Sequence, residues 1–426
     1  MAGWDDMARP FRASGVQQRP RVNLLNTLTD MIMSRFMSLP RSFTALALVF
    51  IVACDDNPVD PPGGTAFLQV LGKGAVPERY TGEVWVRGNT AYTTTWGFRS
   101  EFGNAIKIWD ISGGAAPVLV NTVIVPGVGT LGDIQTSDDG SLLIVATEPS
   151  PGSIMIYDLA DPRNPQLLTR HATASTQPGV HTAEVQRVNG RLYAFLSIDP
   201  PARLVIVDIT DPRAPVEVLS APMGQPFLHD VFVRDGILFT ALWDGGVSIW
   251  DIGGAGSGSV SAPRLISNLR TEGGQVHNVW WYHAPGGEKR YAFIGEEGPS
   301  SGLASASGDI HVVDVSNMSA PVEVAFFRVP GAGTHNFSMD ETRGILYAAF
   351  YNGGVRAIDV TGDLSSCTPA ERSFDGRCDL RLMGRELATG LFAEAPVYVW
   401  GVHFAGDKVY ASDMLNGLWK LAATDR

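Results

Sequence analysis

The sequence predicts an all-β protein, a seven-bladed β-propeller with four antiparallel strands in each blade. A short apolar segment ending in aspartate recurs about every 50 residues, which is near the period of a propeller blade. The 426 residues include 47 glycines and 27 prolines, a composition that suits a chain with many turns. No segment shows a sustained helical period of apolar residues.

The recurring segment is a run of β-branched and aromatic residues. It ends in aspartate six times, and a degenerate seventh copy carries Lys420 instead. The six copies are Ile106–Asp110, Ile154–Asp158, Leu204–Asp208, Val247–Asp251, Ile310–Asp314 and Val355–Asp359. Because the aspartate accompanies the repeat itself, we interpret it as a structural group that holds a turn or bonds a neighbouring blade.

Three more strands complete each unit. Two precede the aspartate strand, as in His229–Val233 and Ile237–Leu242, and an Asp-Gly turn separates them. One follows it, as in Val216–Val218, after the proline-containing turn Asp211–Pro215, which ends a strand. Four-stranded antiparallel units repeated about seven times close into a propeller.

The two ends of the chain are expected to share the last blade. Ala66–Val70 resembles a fourth strand, whereas the chain ends after the first three strands of a unit, the last being Gly417–Leu421. Pairing these segments would remove two open sheet edges. We therefore predict one propeller domain over residues 66–422.

At this level the repeat resembles a known family. Leu204–Asp208 reads LVIVD and is followed by the sequence DPRAPVEV, which is similar to the LVIVD-repeat family of bacterial and archaeal surface β-propellers. The resemblance covers roughly Ala66 to Leu421. It implies a secreted or surface-anchored propeller, and it implies no activity that can be assigned to particular residues.

An export signal is predicted before the propeller. Phe43–Ala53 is an uncharged and mostly apolar run, too short to span a bilayer, that follows Arg35 and Arg41. It ends directly before Cys54, which resembles the lipidated cysteine of a bacterial lipoprotein. The alternative is an ordinary signal peptide followed by an incidental cysteine. Residues 1–53 are then an over-long start plus a lipoprotein signal peptide.

The segment that follows the signal is expected to be a flexible tether. Residues 54–65 are polar and rich in proline and glycine, so they cannot form a core. We further expect translation to start within the cluster Met31, Met33 and Met37, because the residues before it fit no signal peptide.

The remaining two of the three cysteines, Cys367 and Cys378, are interpreted as a disulfide, which an oxidising compartment favours. The alternative is two free thiols or metal ligands, but the neighbouring sequence lacks the further ligands of a zinc site.

Histidine and acidic residues recur at one register of the first strand, which is the innermost strand in propellers generally. The candidate ligand-binding residues of the central channel are Glu83, Asp133, His229, Asp230, His277, Asn278, His335 and Asn336. His181 lies two residues before this register. His403 lies three residues after it, so its side chain is expected on the other face of the strand.

Two interpretations of this ring are open. Its side chains could bond backbone in neighbouring blades, or three neutral imidazoles could hold zinc or copper with acidic groups behind them. We favour the first, because the three histidines are a blade apart, whereas metal–nitrogen bonds measure ~2.1 Å. We also expect Trp280–Tyr282 to pack in the core rather than form a binding patch, and Glu296 and Glu297 to lie on a solvated rim rather than bind a cation.

We therefore predict a lipid-anchored, extracytoplasmic and monomeric propeller that is a binding or scaffold module for a protein, glycan or small ligand. The alternative is a metal-dependent hydrolase or oxidase at the channel, using His229, His277 and His335 with Asp230 or Glu83. We expect no cofactor, except for a divalent metal if the channel binds one. The net charge of −12 argues against nucleic acid, and no nucleophile, phosphate-loop or dinucleotide motif occurs.

Overall fold

The computed structural model describes residues 66–149, 151–199, 201–223, 226–297, 301–302, 305–391 and 396–424. The predicted signal peptide and tether, with Cys54, lie outside these residues. Within the described ranges, no helix has the length and hydrophobicity needed to cross a membrane.

The first half of the chain forms two short N-terminal strands and three blades. The N-terminal strands are β1 (Ala66–Phe67) and β2 (Val70–Ala75). Blade 1 contains β3 (Tyr80–Arg87), β4 (Thr90–Trp96), β5 (Ala105–Asp110) and β6 (Val118–Ile124). Blade 2 contains β7 (Thr130–Thr136), β8 (Leu142–Glu148), β9 (Ser153–Asp158) and β10 (Gln166–His171). Blade 3 contains β11 (Thr182–Val188), β12 (Arg191–Ile198), β13 (Arg203–Asp208) and β14 (Val216–Ala221).

The second half of the chain adds two blades with insertions and two more that complete the ring. Blade 4 contains β15 (Asp230–Arg234), β16 (Ile237–Ala241), β17 (Val247–Asp251) and β18 (Arg264–Leu269). Blade 5 contains β19 (Val276–Trp281), β20 (Tyr291–Glu296), the hairpin β21 (Ser301–Gly302) and β22 (Ser305–Ala306), β23 (Ile310–Asp314) and β24 (Val322–Phe327). Blade 6 contains β25 (Phe337–Asp340), β26 (Ile345–Ala349), β27 (Val355–Asp359) and β29 (Glu386–Gly390). Between β27 and β29 lie a 3₁₀ turn (Pro369–Glu371) and β28 (Cys378–Asp379), which joins the sheet of blade 5. Blade 7 contains β30 (Val399–Ala405), β31 (Lys408–Asp413) and β32 (Gly417–Ala422).

The structure confirms the predicted seven-bladed β-propeller with four antiparallel strands per blade. The middle strands of each blade are buried on both faces, because neighbouring blades pack against them, and so they read as continuous apolar runs. Most core clusters join two adjacent blades: Ile144 and Ile156 of blade 2, for example, pack with Leu196 of blade 3. Trp281 and Tyr282 are buried in such clusters, as expected.

The ring closes through the N-terminus, although with a shifted strand. The strand that pairs antiparallel with β32 is β2, which begins at Val70, so the predicted start at Ala66 was wrong. β1 instead pairs in parallel with β29 of blade 6. Glycine is required in β2 because a Cβ atom on Gly74 would lie 2.3 Å from a ring carbon of Trp109 in blade 1. Because β2 is rich in glycine, its sequence does not match the fourth strand of the repeat.

The repeated aspartate holds the turn after the third strand. The carboxylates of Asp208 and Asp314 accept hydrogen bonds, both 3.0 Å long, from the backbone N–H two residues later, a common turn geometry. The seventh copy of the repeat carries Lys420 in place of the aspartate. Lys420 Nζ donates a hydrogen bond of 2.9 Å to the carbonyl of Ile111 in blade 1. The substituted lysine thus joins the last blade to the first.

Cys367 and Cys378 form a disulfide with a Cα–Cα distance of 5.9 Å. It lies in the insertion between β27 and β29 of blade 6. Within that insertion β28 pairs in parallel with β24, so the segment that the disulfide secures also contacts blade 5.

Candidate functional site at the central channel

Each blade presents two consecutive residues at the centre of the ring, within its first strand or directly before it. In chain order the first of each pair is Gly82, Gly132, Ala183, His229, His277, His335 and Trp400, and the second is Glu83, Asp133, Glu184, Asp230, Asn278, Asn336 and Gly401. In β3, β7, β19 and β30 the register with the second strand shifts at this point. Such β-bulges redirect side chains, and here they coincide with the channel-facing residues.

A closed ring of aromatic and imidazole side chains surrounds the channel. Its members in order are Trp96, His181, His229, His277, His335 and Trp400, with successive centroid distances of 5.8, 4.6, 4.3, 4.0 and 4.2 Å, and 5.5 Å from Trp400 back to Trp96. The expectation that histidines one blade apart would be too far from each other was therefore wrong. First strands converge at the propeller axis, so side chains from adjacent blades touch.

Acidic side chains share the channel with this ring. Removal from water, reinforced by the nearby charge of Asp133, raises the pKa of Glu83 and of Asp230 to about 8. Removal from water also raises the pKa of Asp133 itself, to about 6. Glu184 of blade 3 behaves in the same way, and its pKa is well above the usual range. The channel therefore concentrates groups whose charged forms would be stabilised by a cation.

The histidines differ in protonation. Burial lowers the pKa of His229, lowers that of His277 strongly, and lowers that of His335 to about 3, so their imidazoles are neutral at pH 7. His181 is the exception. Burial opposes its charge, but Glu148, whose Oε1 lies 3.0 Å from Nδ1, helps to raise the pKa of His181 to about 9.

Three channel donors lie close enough together to suggest a metal site. Donor atoms of His229, His277 and Glu297 are all within 4.8 Å of one another, and all three residues are buried. His335 does not belong to this group; it lies 3.7 Å from Glu83 (Nδ1 to Oε1). The predicted solvated rim was wrong for Glu296 and Glu297, which are each 3% exposed, because Glu296 packs against His311 and Glu297 lies beside His229.

The remaining space at the centre is small. It measures about 20 Å³ and is lined by three carboxylates, three histidines and two tryptophans, among other groups. This volume accommodates a water molecule or an ion. Within the described ranges, His277 Nδ1 at this space and Oδ1 of the adjacent Asn278 are buried without a hydrogen-bond partner.

One mouth of the channel is aromatic. Trp96, Phe227 and Trp243 are half-buried around it, and Phe227 packs on Trp243 with a centroid distance of 5.5 Å. Next to them, Phe98 and Phe102 are 42% and 59% exposed and form an edge-on pair at 5.2 Å.

The family comparison matches an LVIVD repeat at residues 193–221 and 303–328. The chain is thus a β-propeller that carries LVIVD repeats in at least two of its blades. The first match covers most of β12 with β13 and β14 of blade 3, and the second contains β23 and β24 of blade 5. A comparison with curated proteins found no match.

Among solved structures, this LVIVD-repeat propeller is similar to two WD40-type or propeller domains. The C-terminal WD40 domain of Sif2 superposes with a TM-score of 0.56 at 10% identity, covering 85% of this chain and 100% of that one. The Cps50 (Swd1) β-propeller domain of Myceliophteria thermophila superposes with a TM-score of 0.56 at 13% identity, covering 83% and 98%. At these identities the similarity establishes the fold alone.

Sequence reasoning identified the register of this propeller's channel but missed several members of the site. Trp96, Trp243, Glu297 and Tyr351 all lie at or just after the end of a second strand, where they reach the channel mouth. The signal was available, since Trp243 and Tyr351 each precede a turn with two consecutive glycines. His403 points away from the channel and packs on Trp85 at 4.7 Å.

Proposed function

We propose that the protein is a lipid-anchored, extracytoplasmic β-propeller that acts as a binding or scaffold module for a protein, glycan or small ligand. The observation that carries this proposal is the aromatic mouth of the channel, formed by Trp96, Phe227 and Trp243 with the exposed pair Phe98 and Phe102 beside it. Aromatic side chains supply large contact areas at low entropic cost and are enriched in interfaces.

The loops support the choice of this face. The second and third strands of each blade are joined here, by segments such as 97–104 and 297–309, and each fourth strand continues here into the next blade, as in 172–181. At the opposite face, the first two strands of several blades are joined by two-residue turns, such as Asn189-Gly190. Binding residues are found disproportionately on loops held by a rigid scaffold. The longest insertion, between β27 and β29, lies on the other face, but the loops of this face adjoin the aromatic mouth, which favours it as the ligand-binding surface.

A metal-dependent hydrolase or oxidase in the channel is the second candidate, and the cluster of His229, His277 and Glu297 is the observation that favours it. Its difficulty is access. The two histidines are 1% and 3% exposed, and the central space, which of the three ligands only His277 lines, measures about 20 Å³ and is too small for a substrate. The binding module is therefore the better-supported function.

The proposed anchor rests on the sequence around Cys54. The tether of residues 54–65 precedes β1 directly, and 12 extended residues reach at most about 40 Å. A lipid on Cys54 would therefore keep the propeller close to the membrane surface.

Cell fractionation tests the anchor. We expect the wild-type protein to sediment with membranes and Cys54→Ala to be released into the soluble extracytoplasmic fraction, while the tether variant Thr65→Ala stays with the membranes. Sedimentation of Cys54→Ala with membranes, or recovery of the wild type in the cytoplasm, would refute the anchor.

A further inference from the structure

We propose that the channel binds one divalent transition-metal ion, of the zinc or copper type, through His229, His277 and Glu297. This site is independent of the proposed binding function, because it lies inside the ring and not on the aromatic face.

The donor set fits such an ion. Two imidazoles and one carboxylate are ligands that zinc prefers, and imidazole also suits copper. The donors lie within 4.8 Å of one another, and His229 Nε2 is 3.5 Å from Glu297 Oε2. In a tetrahedral site with bonds of ~2.1 Å the donors are about 3.4 Å apart, so the pair His229 and Glu297 already has a suitable distance, and the widest-spaced donors must approach by up to roughly 1.4 Å.

An independent observation also points to a ligand. His277 is 3% exposed, and its Nδ1 has no hydrogen-bond partner in the described part of the chain. A buried polar atom without a partner costs about 1–3 kcal/mol. An ion coordinated by this imidazole, with a water molecule completing its coordination, would supply a partner for His277.

The surroundings of Glu297 resemble those of a metal ligand. The Tyr351 hydroxyl donates a hydrogen bond of 2.7 Å to Glu297 Oε1, which fixes the carboxylate and leaves Oε2 on the side of His229. In proteins generally, hydrogen bonds from neighbouring groups to a metal-binding side chain orient that side chain. Burial favours the neutral imidazoles that bind metals.

The acidic groups of the channel favour a cation over an anion, because a bound cation would stabilise their charged forms. Glu83, Asp133 and Asp230 line the same central space as His277. Because His229 belongs to blade 4 while His277 and Glu297 belong to blade 5, an ion here would join two adjacent blades. Its expected consequence is a more stable ring.

The test is metal binding by the purified propeller after treatment with a chelator. We expect one equivalent of Zn²⁺ to remain after desalting, as measured by elemental analysis, and Co²⁺ to give the visible absorption of a nitrogen- and oxygen-ligated ion. The melting temperature should rise with Zn²⁺, since a ligand that binds only the folded state stabilises it. Glu297→Gln and His277→Asn should each weaken the affinity by about 100-fold or more.

The matched control is His403→Asn, which removes a half-buried first-strand histidine that packs on Trp85 outside the channel; it should keep the wild-type affinity. Circular dichroism verifies that each variant is folded. If His277→Asn does not fold, the metal affinity of the isosteric variant Glu297→Gln is the test. No stoichiometric Zn²⁺ or Co²⁺ in the wild type would overturn the proposal. Equal affinity in the wild type and Glu297→Gln would also overturn it, because the metal would then be bound elsewhere.

Discussion

Gly401 of blade 7 makes room for the carboxylate of Glu83 in blade 1: a Cβ atom on Gly401 would lie 2.6 Å from Glu83 Oε2. The other carboxylate oxygen, Oε1, lies 3.7 Å from His335 Nδ1 in blade 6. Glu83 therefore reaches past the last blade to the one before it. Each blade contributes two consecutive residues to the channel, and Gly401 is the one glycine among the second residues of these seven pairs. It lies in blade 7, where the ring closes.

Gly401→Ala should destabilise the protein by about 1–3 kcal/mol, the usual cost of overpacking a closely packed interior. The added methyl group would displace Glu83 and approach Ser412 Oγ at 2.9 Å. Urea unfolding monitored by tryptophan fluorescence measures the change. Gly286→Ala is the control, since a Cβ atom there meets nothing within 4 Å; equal stability of the two variants would contradict the explanation.

Removing residues 66–75 should lower the melting temperature sharply, because the deletion takes away β1 and β2 and leaves the edge of β32 unpaired. Differential scanning calorimetry provides the measurement. Deleting only residues 54–65 should leave the melting temperature unchanged. Similar melting of both deletion variants would show that β2 does not close the ring.

The stability contributed by His311 should decrease in alkaline solution. His311 is fully buried between Glu296 and Glu323, with its nitrogens 3.0 and 2.6 Å from their carboxylates, and Arg377 also contacts Glu323. Burial opposes protonation, but the two carboxylates prevail and raise the pKa of His311 from 6.5 to about 9. Since this folded-state pKa exceeds that of the unfolded chain, the stabilisation is complete below pH 6.5 and is lost as the pH rises through 9.

Thermal melts of the wild type and His311→Gln between pH 6 and pH 10 measure this effect. The difference in stability should be largest at pH 6, on the order of 3 kcal/mol, and should shrink toward pH 10. A difference that does not vary with pH would show that protonated His311 is not what stabilises the fold.

Glu386→Gln should destabilise blade 6 strongly. Arg356 is completely buried, and its Nη1 donates to Glu386 Oε1 at 2.9 Å, while Arg381 contacts the other oxygen at 3.2 Å. Leaving a buried guanidinium without its carboxylate typically costs about 3–5 kcal/mol. Chemical unfolding measures the loss, with the exposed Glu288→Gln as control, and a loss below 1 kcal/mol would contradict the assigned role of the pair.

Most of the fold was predictable because the repeated sequence marks the positions of the strands. The aspartate that ends segments such as Leu204–Asp208 marks the third strand, and the turns on either side mark its neighbours. The start of the closing strand was mispredicted, since β2 needs glycine beside Trp109 and therefore departs from the repeat. A requirement imposed by a contact between blade 7 and blade 1 cannot be read from either segment alone.

The candidate site was only partly predictable. The spacing of His229, His277 and His335 indicated one register, but the distances between their rings depend on how tightly seven blades converge. Glu297 was placed on the rim because a glycine- and serine-rich segment follows it, whereas the structure buries it against the channel. Sequence periodicity identifies which residues are equivalent, but not which of them meet.

The central claim, that the aromatic face binds a partner, is tested most directly by photo-crosslinking in cells that produce the protein. A photoreactive phenylalanine derivative is placed at Phe98, at Phe102, or at Phe374, which is 99% exposed in the insertion of blade 6 at the other face. We predict a discrete crosslinked species from Phe98 and Phe102 that is absent when Trp96→Ala and Trp243→Ala are introduced, and none from Phe374. Equal crosslinking from all three positions, or none from Phe98 and Phe102, would contradict the assignment of this face.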